Sequence, residues 1–414
     1  MSLSKIEPLL AAKVAGLREQ GISKGSEKII TGIKAAAEAF GPRYFLEGYS
    51  DTAFLRMNSN SYLGLALHPK VIEAEAVAAE KYGTGPGAVR FISGTYAPHV
   101  ELEKRLAEFH GREAAMLFSA AYATTMGVLP QLITQDTLVI SDELNHSCII
   151  NAIRLAQPAK KAVYPHADLS ILDSILAENS GQFKRVCVVT DGIFSMRGDH
   201  ARLEEMNDCC RQYENNYEEG IITIMDDSHG VGAFGLSGRG TEEVTGGKAD
   251  ILIATLGKAL GVNGGYVTAS TKVIDYLRET SPFYIYSNPI TPAEAAASLT
   301  ALDILDSDEG GELLQKLRDF SIFLRTRLEH LDYETLQGEH PIVPVFIRDT
   351  EKTTALVSYL FECNILITGL NYPVVPPGDQ EIRLQVNADH TEQDLNYLLE
   401  ALAGFKNKRT IKLR

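Results

Sequence analysis

Two apolar runs of this chain end in side chains that could do chemistry. Ile251–Ala254 leads into Thr-Leu-Gly-Lys, which ends at Lys258, and a glycine-rich turn follows. Ile221–Met225 leads into Asp-Asp-Ser-His, which contains Asp226 and His229. Short apolar runs bounded by turn residues are typical of buried strands. A lysine held in a mostly apolar turn can lose its proton and act as an amine nucleophile.

Taken alone, Lys258 fits a solvated surface lysine better than a nucleophile. Asp226 and His229 change that balance, because parallel sheets bind ligands at the carboxyl edge, where both residues are predicted to lie. A lysine and a strand-end aspartate are what pyridoxal phosphate (PLP) requires. The lysine forms a Schiff base, and the aspartate keeps the pyridine nitrogen protonated so that the ring accepts electrons.

The stretches D-D-S-H-G-V-G and T-L-G-K-A-L-G, in this order, resemble the α-oxoamine synthases. These are fold-type I PLP enzymes that condense an amino acid with an acyl-CoA, and the resemblance covers roughly residues 45–405. It implies an α/β fold with a large domain built on a mainly parallel, doubly wound sheet and a smaller C-terminal α/β domain. It also implies that Lys258 carries the cofactor and removes the Cα proton of the amino acid.

The resemblance places further cofactor contacts at the ends of other predicted strands. The PLP phosphate is expected on the backbone amides of Ala121 and Tyr122, at a helix start that could also be an ordinary helix N-terminus. His146 is expected to stack on the ring, although a solvated histidine in a helix cap is equally compatible with the sequence. The full implied catalytic set is Lys258, His146, Asp226 and His229. Other implied cofactor contacts are Ser195, Thr255, Ser287 and Asn288.

Two residues are implied in binding the amino acid. Asn60, in N-S-Y-L-G-L, is expected near the substrate carboxylate, and a capped turn is the alternative. Arg383 is expected to clamp that carboxylate with two parallel hydrogen bonds, although an arginine on an edge strand is common. Arg197 stands where relatives often have aspartate, which changes the charge of its loop and could bear on substrate choice.

Within the family, three segments most resemble the glycine C-acetyltransferases, also called 2-amino-3-ketobutyrate CoA ligases. They are G-P-G-A-V-R-F-I-S-G-T (residues 85–95), H-P-I-V-P-V (340–345) and Y-P-V-V-P (372–376). This resemblance implies glycine and acetyl-CoA as substrates. A longer acyl donor, as in 8-amino-7-oxononanoate synthase or serine palmitoyltransferase, is the first alternative. A PLP aminotransferase without acyl-CoA is another. A silent scaffold subunit would be expected to lack Lys258 or Asp226.

The elements that must position these residues alternate between strand and helix from Pro69 onward. That alternation predicts a mainly parallel, doubly wound sheet with crossover helices. We predict an N-terminal helical arm over residues 1–57, in which Ile29–Phe40 has helical spacing and Phe54–Met57 forms a short strand. A large PLP-binding domain over residues 58–292 and a small C-terminal domain over residues 293–414 follow.

Composition restricts the partners. The 414 residues carry a net charge of -15, which argues against binding to nucleic acid or anionic membrane surfaces. No apolar run approaches membrane-spanning length. The five cysteines lack C-x-x-C spacing, so we predict no metal site and free thiols in a reducing cytoplasm. Ser287 and Asn288 resemble a segment that reaches the neighbour's PLP phosphate, which implies a homodimer with shared active sites.

Overall fold

The structure is a computed structural model that describes residues 3–19, 23, 25, 27–37, 39–372 and 374–412. The other residues lie outside the described part of the chain. They belong to the predicted arm and to the predicted C-terminal domain, where Pro373 is one residue of the Y-P-V-V-P segment.

Helices cover much of the described chain. In chain order they are α1 (Leu3–Glu19), α2 (Pro69–Tyr82), α3 (Ala97–Phe109), α4 (Ala121–Leu132), α5 (Ser147–Ala156), α6 (Leu169–Glu178), α7 (Leu203–Tyr213), α8 (Thr241–Thr245), α9 (Thr271–Thr280), α10 (Pro282–Ile285), α11 (Pro292–Leu305), α12 (Asp308–His330), α13 (Thr350–Glu362) and α14 (Glu392–Lys412). Within the described ranges, none of them is both long and apolar enough to cross a membrane.

The strands form three sheets. In chain order they are β1 (Ile30–Lys34), β2 (Arg43–Leu46), β3 (Tyr49–Arg56), β4 (Ala114–Phe118), β5 (Thr137–Asp142), β6 (Lys160–Tyr164), β7 (Arg185–Asp191), β8 (Ile221–Asp226), β9 (Ile251–Thr255), β10 (Gly265–Ala269), β11 (Glu334–Thr335), β12 (Ile342–Phe346), β13 (Ile365–Leu366), β14 (Thr368–Leu370) and β15 (Glu381–Gln385).

The central sheet has seven strands in the order β4-β10-β9-β8-β7-β5-β6. The pairs from β9 to β6 are parallel, and β10 is antiparallel to both of its neighbours. Strands β5, β7 and β8 are almost entirely buried because helices cover both faces of the sheet. This confirms the predicted α/β fold with a mainly parallel, doubly wound sheet.

The helix predicted over Ile29–Phe40 is wrong. Residues Ile30–Lys34 form β1, which pairs antiparallel with β2 and places Ile33 opposite Tyr44. Isoleucine and threonine favour a strand when a neighbouring strand offers hydrogen bonds, and that pairing overrides a weak helical spacing. Among its described residues, the predicted helical arm therefore holds one helix, α1, and three strands. Strand β3 of this group pairs with β13 from the C-terminal part of the chain.

The C-terminal part builds an antiparallel sheet in the order β11-β12-β15-β14. Its apolar face shares one continuous core with the helices beside the central sheet. Helix α11, which begins the predicted small domain, packs against α2 and α3 of the predicted large domain. The exact domain limits therefore stay a prediction.

Candidate active site

The carboxyl ends of neighbouring strands bring the predicted polar residues together. Asp191 ends β7 and Asp226 ends β8, and the two residues are paired in the parallel register. Thr255 ends β9, the next strand in the sheet, and Lys258 follows in the turn. Strand length and register thus set the spacing of these side chains.

A cavity lies over this edge of the sheet. Seven predicted site residues line it, namely Ala121, Tyr122, His146, Ser195, Asp226, His229 and Lys258. Cys148, Asp191, Ile193 and Ser228 also line it, and the sequence analysis did not single them out. Asp191 and Ser228 follow predicted strands, so a polar side chain at a predicted strand exit was the available signal.

Lys258 stands in a turn that is closed by backbone hydrogen bonds. The Leu256 N–H donates to the Gly264 carbonyl (3.0 Å), and the Thr255 hydroxyl donates to the same carbonyl (3.1 Å). Gly261 has φ +73°, and a Cβ there would come 2.3 Å from the Ala66 nitrogen, so this position requires glycine. Burial lowers the pKa of Lys258 to about 8, although Asp226 and Asp191 oppose the shift. A substantial fraction of its amine is therefore neutral near pH 8.

Asp226 is buried and receives hydrogen bonds at both oxygens. The Ser228 N–H donates to Oδ1 (3.1 Å), and the Thr125 hydroxyl donates to Oδ2 (3.2 Å). The Cys148 thiol lies 3.7 Å from Oδ2. These contacts fix the carboxylate so that it can face a ligand in the cavity.

Asp191 places a second carboxyl beside Asp226. Burial, and then the charge of Asp226, raise the pKa of Asp191 well above its usual range. Its Oδ2 accepts the backbone N–H of His146 (2.8 Å). Asp191 therefore anchors the segment that carries His146.

His146 caps the first turn of α5. Its Nδ1 accepts the Cys148 N–H at 3.3 Å and lies 3.0 Å from the Cys148 sulfur. Since Nδ1 accepts, the proton of the neutral ring is on Nε2. Burial lowers the pKa of His146, which keeps its ring neutral at physiological pH. His146 therefore fulfils both alternatives, because it caps α5 and also lines the cavity.

The first turn of α4 offers backbone amides to the cavity. Its N-cap, Ala120, makes no side-chain capping hydrogen bond, so the N–H groups of Ala121 and Tyr122 are available to an anion. A Cβ on Gly265 would come 2.3 Å from the Ala121 nitrogen. The glycine at the start of β10 therefore lets this helix start approach the sheet.

His229 is joined to the N-S-Y-L-G-L segment. The Tyr62 hydroxyl lies 2.7 Å from His229 Nδ1, and Tyr62 is completely buried. His340 Nε2 donates to the His229 carbonyl (2.9 Å). Burial and the positive charge of Lys258 lower the pKa of His229 well below its usual range, so its ring is neutral.

The two predicted amino-acid-binding residues meet beside this histidine. Arg383, buried on β15, donates to Asn60 Oδ1 (3.4 Å), and the Tyr62 hydroxyl lies 3.3 Å from the same oxygen. The Arg383 Nε is buried without a partner among the described residues. A guanidinium in this state is suited to a carboxylate.

Asp227, which follows Asp226 directly, faces away from the cavity. Thr241 donates to its two oxygens through N–H (2.7 Å) and hydroxyl (2.8 Å). A Cβ on Gly192 or Gly230 would meet its carboxylate at 2.1 Å. Burial raises the pKa of Asp227 to about 7. It braces the loops around the site and does not line the cavity.

Three predicted cofactor contacts lie elsewhere. Thr255 braces the lysine turn, as described above, and is not part of the cavity wall. Ser287 and Asn288 follow α10 on a partly exposed stretch, where the Ser287 hydroxyl donates to the Asn288 carbonyl (3.4 Å). Within one described chain, the structure does not bring these two residues to the cavity.

The V-R-F-I-S-G-T segment holds a structural cluster, which we name the Glu103 clamp and define as Arg90, Glu103 and Arg278. Both terminal nitrogens of Arg90 donate to Glu103 (3.1 Å each), and Arg278 donates to Glu103 Oε2 (2.9 Å). The Leu117 N–H donates to Oε1 (3.0 Å). Arg90 thus holds α3 to the sheet and does not face the cavity.

The cavity residues fit PLP on structural grounds. The Ser228 hydroxyl is buried and has no partner among the described residues, although it lines the cavity. An uncapped helix start suits a phosphate, the Lys258 amine suits an aldehyde, and the Asp226 carboxylate suits a protonated pyridine nitrogen. No cluster suited to a metal ion occurs among the described residues.

The sequence of this chain is similar to those of known proteins. The family model described as aminotransferase class I and II matches residues 52–402. The 8-amino-7-oxononanoate synthase of Geobacter sulfurreducens is 38% identical over 396 residues, which is 95% of this chain and 97% of that protein. The human mitochondrial 2-amino-3-ketobutyrate coenzyme A ligase is 36% identical over 403 residues, 97% of this chain and 92% of that protein.

A solved structure extends the likeness to the whole fold. The serine palmitoyltransferase of Sphingomonas wittichii superposes with a TM-score of 0.87, at 25% identity and with 99% of each chain covered. Together with the sequence relatives, this match shows that the chain is an enzyme that uses PLP. The chain belongs to the class I and II aminotransferase family and, within it, to the α-oxoamine synthases, which are PLP-dependent acyltransferases.

Proposed function

We propose that the enzyme joins glycine to the acetyl group of acetyl-CoA and forms 2-amino-3-ketobutyrate. The half-buried Lys258 amine, with Asp226 at the end of the neighbouring strand, is the observation that supports the condensation chemistry. When bound, PLP supplies an electron-accepting ring that stabilises negative charge on the amino acid's Cα. The residues around it bind, orient and move protons.

In this proposal Arg383 and Asn60 bind the amino acid carboxylate. Arg383 offers an unpaired Nε, and its buried position removes water that would weaken the contact. Lys258 Nζ then takes the Cα proton, because its lowered pKa makes it a base near neutral pH. His146 covers the cavity with a neutral ring and carries its proton on Nε2, where it can donate a hydrogen bond to the thioester oxygen.

Asp226 and His229 are proposed to bind two different atoms of the cofactor. Asp226 accepts hydrogen bonds at both oxygens, which orient its carboxylate toward the position proposed for the pyridine nitrogen. His229 and Ser195 lie where they can bind the phenolic oxygen, and both line the cavity. The amides of Ala121 and Tyr122 bind the phosphate.

Two candidate functions differ in the acyl donor, which is acetyl-CoA in the first and a longer acyl group in the second. The human ligase supports glycine and acetyl-CoA, as does the H-P-I-V-P-V segment, whose His340 contacts the His229 carbonyl. The relatives of slightly higher identity are named 8-amino-7-oxononanoate synthases, a product name that describes a longer carbon chain. They favour a longer acyl donor as the second candidate.

CoA release distinguishes these candidates. We expect the highest specificity constant with glycine and acetyl-CoA, and weaker turnover with alanine or serine, because a pocket rejects one extra methylene by only about 1–3 kcal/mol. Palmitoyl-CoA serves as the long donor in a parallel series. A higher specificity constant for a long acyl-CoA or for alanine would refute the glycine assignment, and the condensation chemistry would stand.

The proposal includes a homodimer with shared active sites. Phe91, Ile92 and Tyr286 are 66%, 67% and 78% exposed, and exposed apolar side chains of this size are typical of an interface. Tyr286 directly precedes Ser287 and Asn288, so a partner that covers Tyr286 would meet these two residues. A holoenzyme that sediments as a monomer with full activity would contradict the shared site.

A cytoplasmic location is also part of the proposal. All five cysteines are free, and Cys148, Cys187, Cys209 and Cys210 are buried, which fits a reducing compartment. Cell fractionation that recovers the active enzyme outside the cytoplasm would contradict it.

A further inference from the structure

Tyr62 stands between two parts of the active site that the sequence treats separately. Its buried hydroxyl lies 2.7 Å from His229 Nδ1 and 3.3 Å from Asn60 Oδ1. Asn60 Oδ1 also accepts from Arg383 (3.4 Å) and from Gln385 Nε2 (3.3 Å). A continuous hydrogen-bonded path therefore runs from the carboxylate-binding arginine to the histidine of the cofactor cavity.

A tyrosine hydroxyl has a single proton, and here two acceptors compete for it. If the proton points to His229 Nδ1, the neutral imidazole must carry its own proton on Nε2. If the proton points to Asn60, the imidazole can carry its proton on Nδ1 and donate it to the Tyr62 oxygen. The orientation of one hydroxyl thus decides whether Nε2 offers a proton or a lone pair to the cavity.

We propose that Tyr62 is a positioning residue that couples binding of the amino acid carboxylate at Arg383 to the proton that His229 offers the cofactor. This inference rests on the proposed roles of Arg383 and His229. While both Arg383 and Gln385 donate to Asn60, the amide oxygen is shared among more donors and is a poorer acceptor for Tyr62 than when Gln385 alone remains. When a carboxylate takes the guanidinium, Asn60 becomes the better acceptor, and the hydroxyl turns toward it.

Tyr62 and the neighbouring His340 do not change their protonation state near neutral pH. The charged and titratable groups that face His229 and Tyr62 are Lys258, Arg383, His340 and His146. Burial lowers the pKa of His340 to about 3, so that ring stays neutral. Burial raises the pKa of Tyr62, so its hydroxyl keeps its proton. The remaining freedom at Tyr62 is the direction of its hydroxyl.

The test uses holoenzyme and propionate, a carboxylate without an amine that can pair with Arg383 but cannot react with PLP. The visible absorbance of the cofactor is titrated against pH with and without propionate. A His229 Nε2 that becomes an acceptor favours a proton on the phenolic oxygen, so propionate should raise the apparent pKa of the cofactor. The charge of propionate acts alike in all variants.

Tyr62→Phe removes the hydroxyl and keeps the ring. We expect the propionate-induced rise to be smaller in Tyr62→Phe than in the wild type by about 0.4–1 pKa unit, the equivalent of one hydrogen bond. Tyr266→Phe is the matched control, because the buried Tyr266 hydroxyl bonds His110 Nε2 (2.8 Å) away from the cavity. That variant should respond like the wild type.

If propionate raises the apparent pKa of the cofactor equally in the wild type and in Tyr62→Phe, the coupling is overturned, whatever the assay of CoA release shows. Absent CoA release with every substrate pair, together with a rise that depends on Tyr62, would refute the proposed function and leave the coupling in place. Isothermal titration of propionate into Tyr62→Phe should show retained binding, since Arg383 is unchanged. Lost binding there would overturn the positioning role, because Tyr62 would then act on affinity itself.

Discussion

The cofactor cavity and the Glu103 clamp are both buried polar clusters, but their hydrogen bonding differs. Glu103 accepts four hydrogen bonds, from Arg90 twice, from Arg278 and from Leu117. In and beside the cavity, by contrast, the Ser228 hydroxyl and the Arg383 Nε are buried without a partner in the described chain. A fully hydrogen-bonded cluster stabilises the fold, whereas unpaired buried groups that line a cavity are available to a ligand.

The same difference in hydrogen bonding distinguishes two motifs that the family resemblance had both linked to function. The V-R-F-I-S-G-T segment supported the choice of glycine, but its arginine binds Glu103 on α3 and does not line the cavity of the described chain. T-L-G-K supported the cofactor, and its lysine does line the cavity. The family resemblance drew attention to both segments. Their contacts in the structure show that only T-L-G-K contributes a side chain to the cavity.

The largest effect should follow a change at Lys258. Lys258→Ala is expected to reduce CoA release on the order of 10³-fold or more, because both the covalent anchor and the base are lost. The variant should also lose the visible absorbance of the lysine-bound cofactor, while its free energy of unfolding without PLP stays close to the wild type.

Lys248→Ala is the matched control, because Lys248 precedes β9 and its exposed amine donates to the Gly111 carbonyl (2.8 Å). It should keep normal turnover. If borohydride still fixes PLP covalently to Lys258→Ala, another lysine holds the cofactor and the assignment is wrong.

A change in the clamp should have the opposite profile. Glu103→Ala leaves Arg90 buried without a counter-charge, which typically costs about 3–5 kcal/mol of unfolding free energy. PLP affinity per folded molecule should change little, because none of the three clamp residues lines the cavity. Denaturant unfolding and PLP titration measure the two quantities.

Glu108→Ala, on the same helix, provides the control for that change. Glu108 forms an exposed pair with Lys104 at 3.8 Å, and such pairs contribute at most about 1 kcal/mol. Similar losses of stability in the two variants would show that the clamp is not special. A Glu103→Ala protein that is stable but cannot bind PLP would place the clamp in the site.

The sequence predicted those parts of the site that depend on a single strand and its exit. Lys258, Asp226 and His146 each follow a strand whose apolar run is local, so their meeting at one sheet edge was foreseeable. Tyr62 was not, because its contact with His229 joins segments far apart in the chain. Asp191 was overlooked, although it follows a predicted strand as Asp226 does. The strand β1 was missed for a different reason, since its pairing with the next strand, β2, overrides a weak helical spacing.

The smallest effect is expected for Ser228→Ala, which tests directly whether an unpaired group in the cavity binds the cofactor. Ser228→Ala removes a buried hydroxyl that has no partner among the residues that the structure describes, so the free energy of unfolding without PLP should not fall. If PLP supplies the missing partner, its affinity should weaken by about 2- to 10-fold, the value of one hydrogen bond of about 0.5–1.5 kcal/mol. Fluorescence titration of both proteins with PLP gives the two dissociation constants.

Ser281→Ala completes that test because the Ser281 hydroxyl is also buried without a described partner, and it does not line the cavity. The two substitutions remove the same group from the same kind of environment, and only one of them adjoins the cofactor. PLP affinity should therefore change in Ser228→Ala and stay constant in Ser281→Ala. Equal PLP affinities in both variants and the wild type would mean that an unpaired buried hydroxyl does not mark a ligand site in this protein, and the distinction between cavity and clamp would then rest on Lys258 and Asp226 alone.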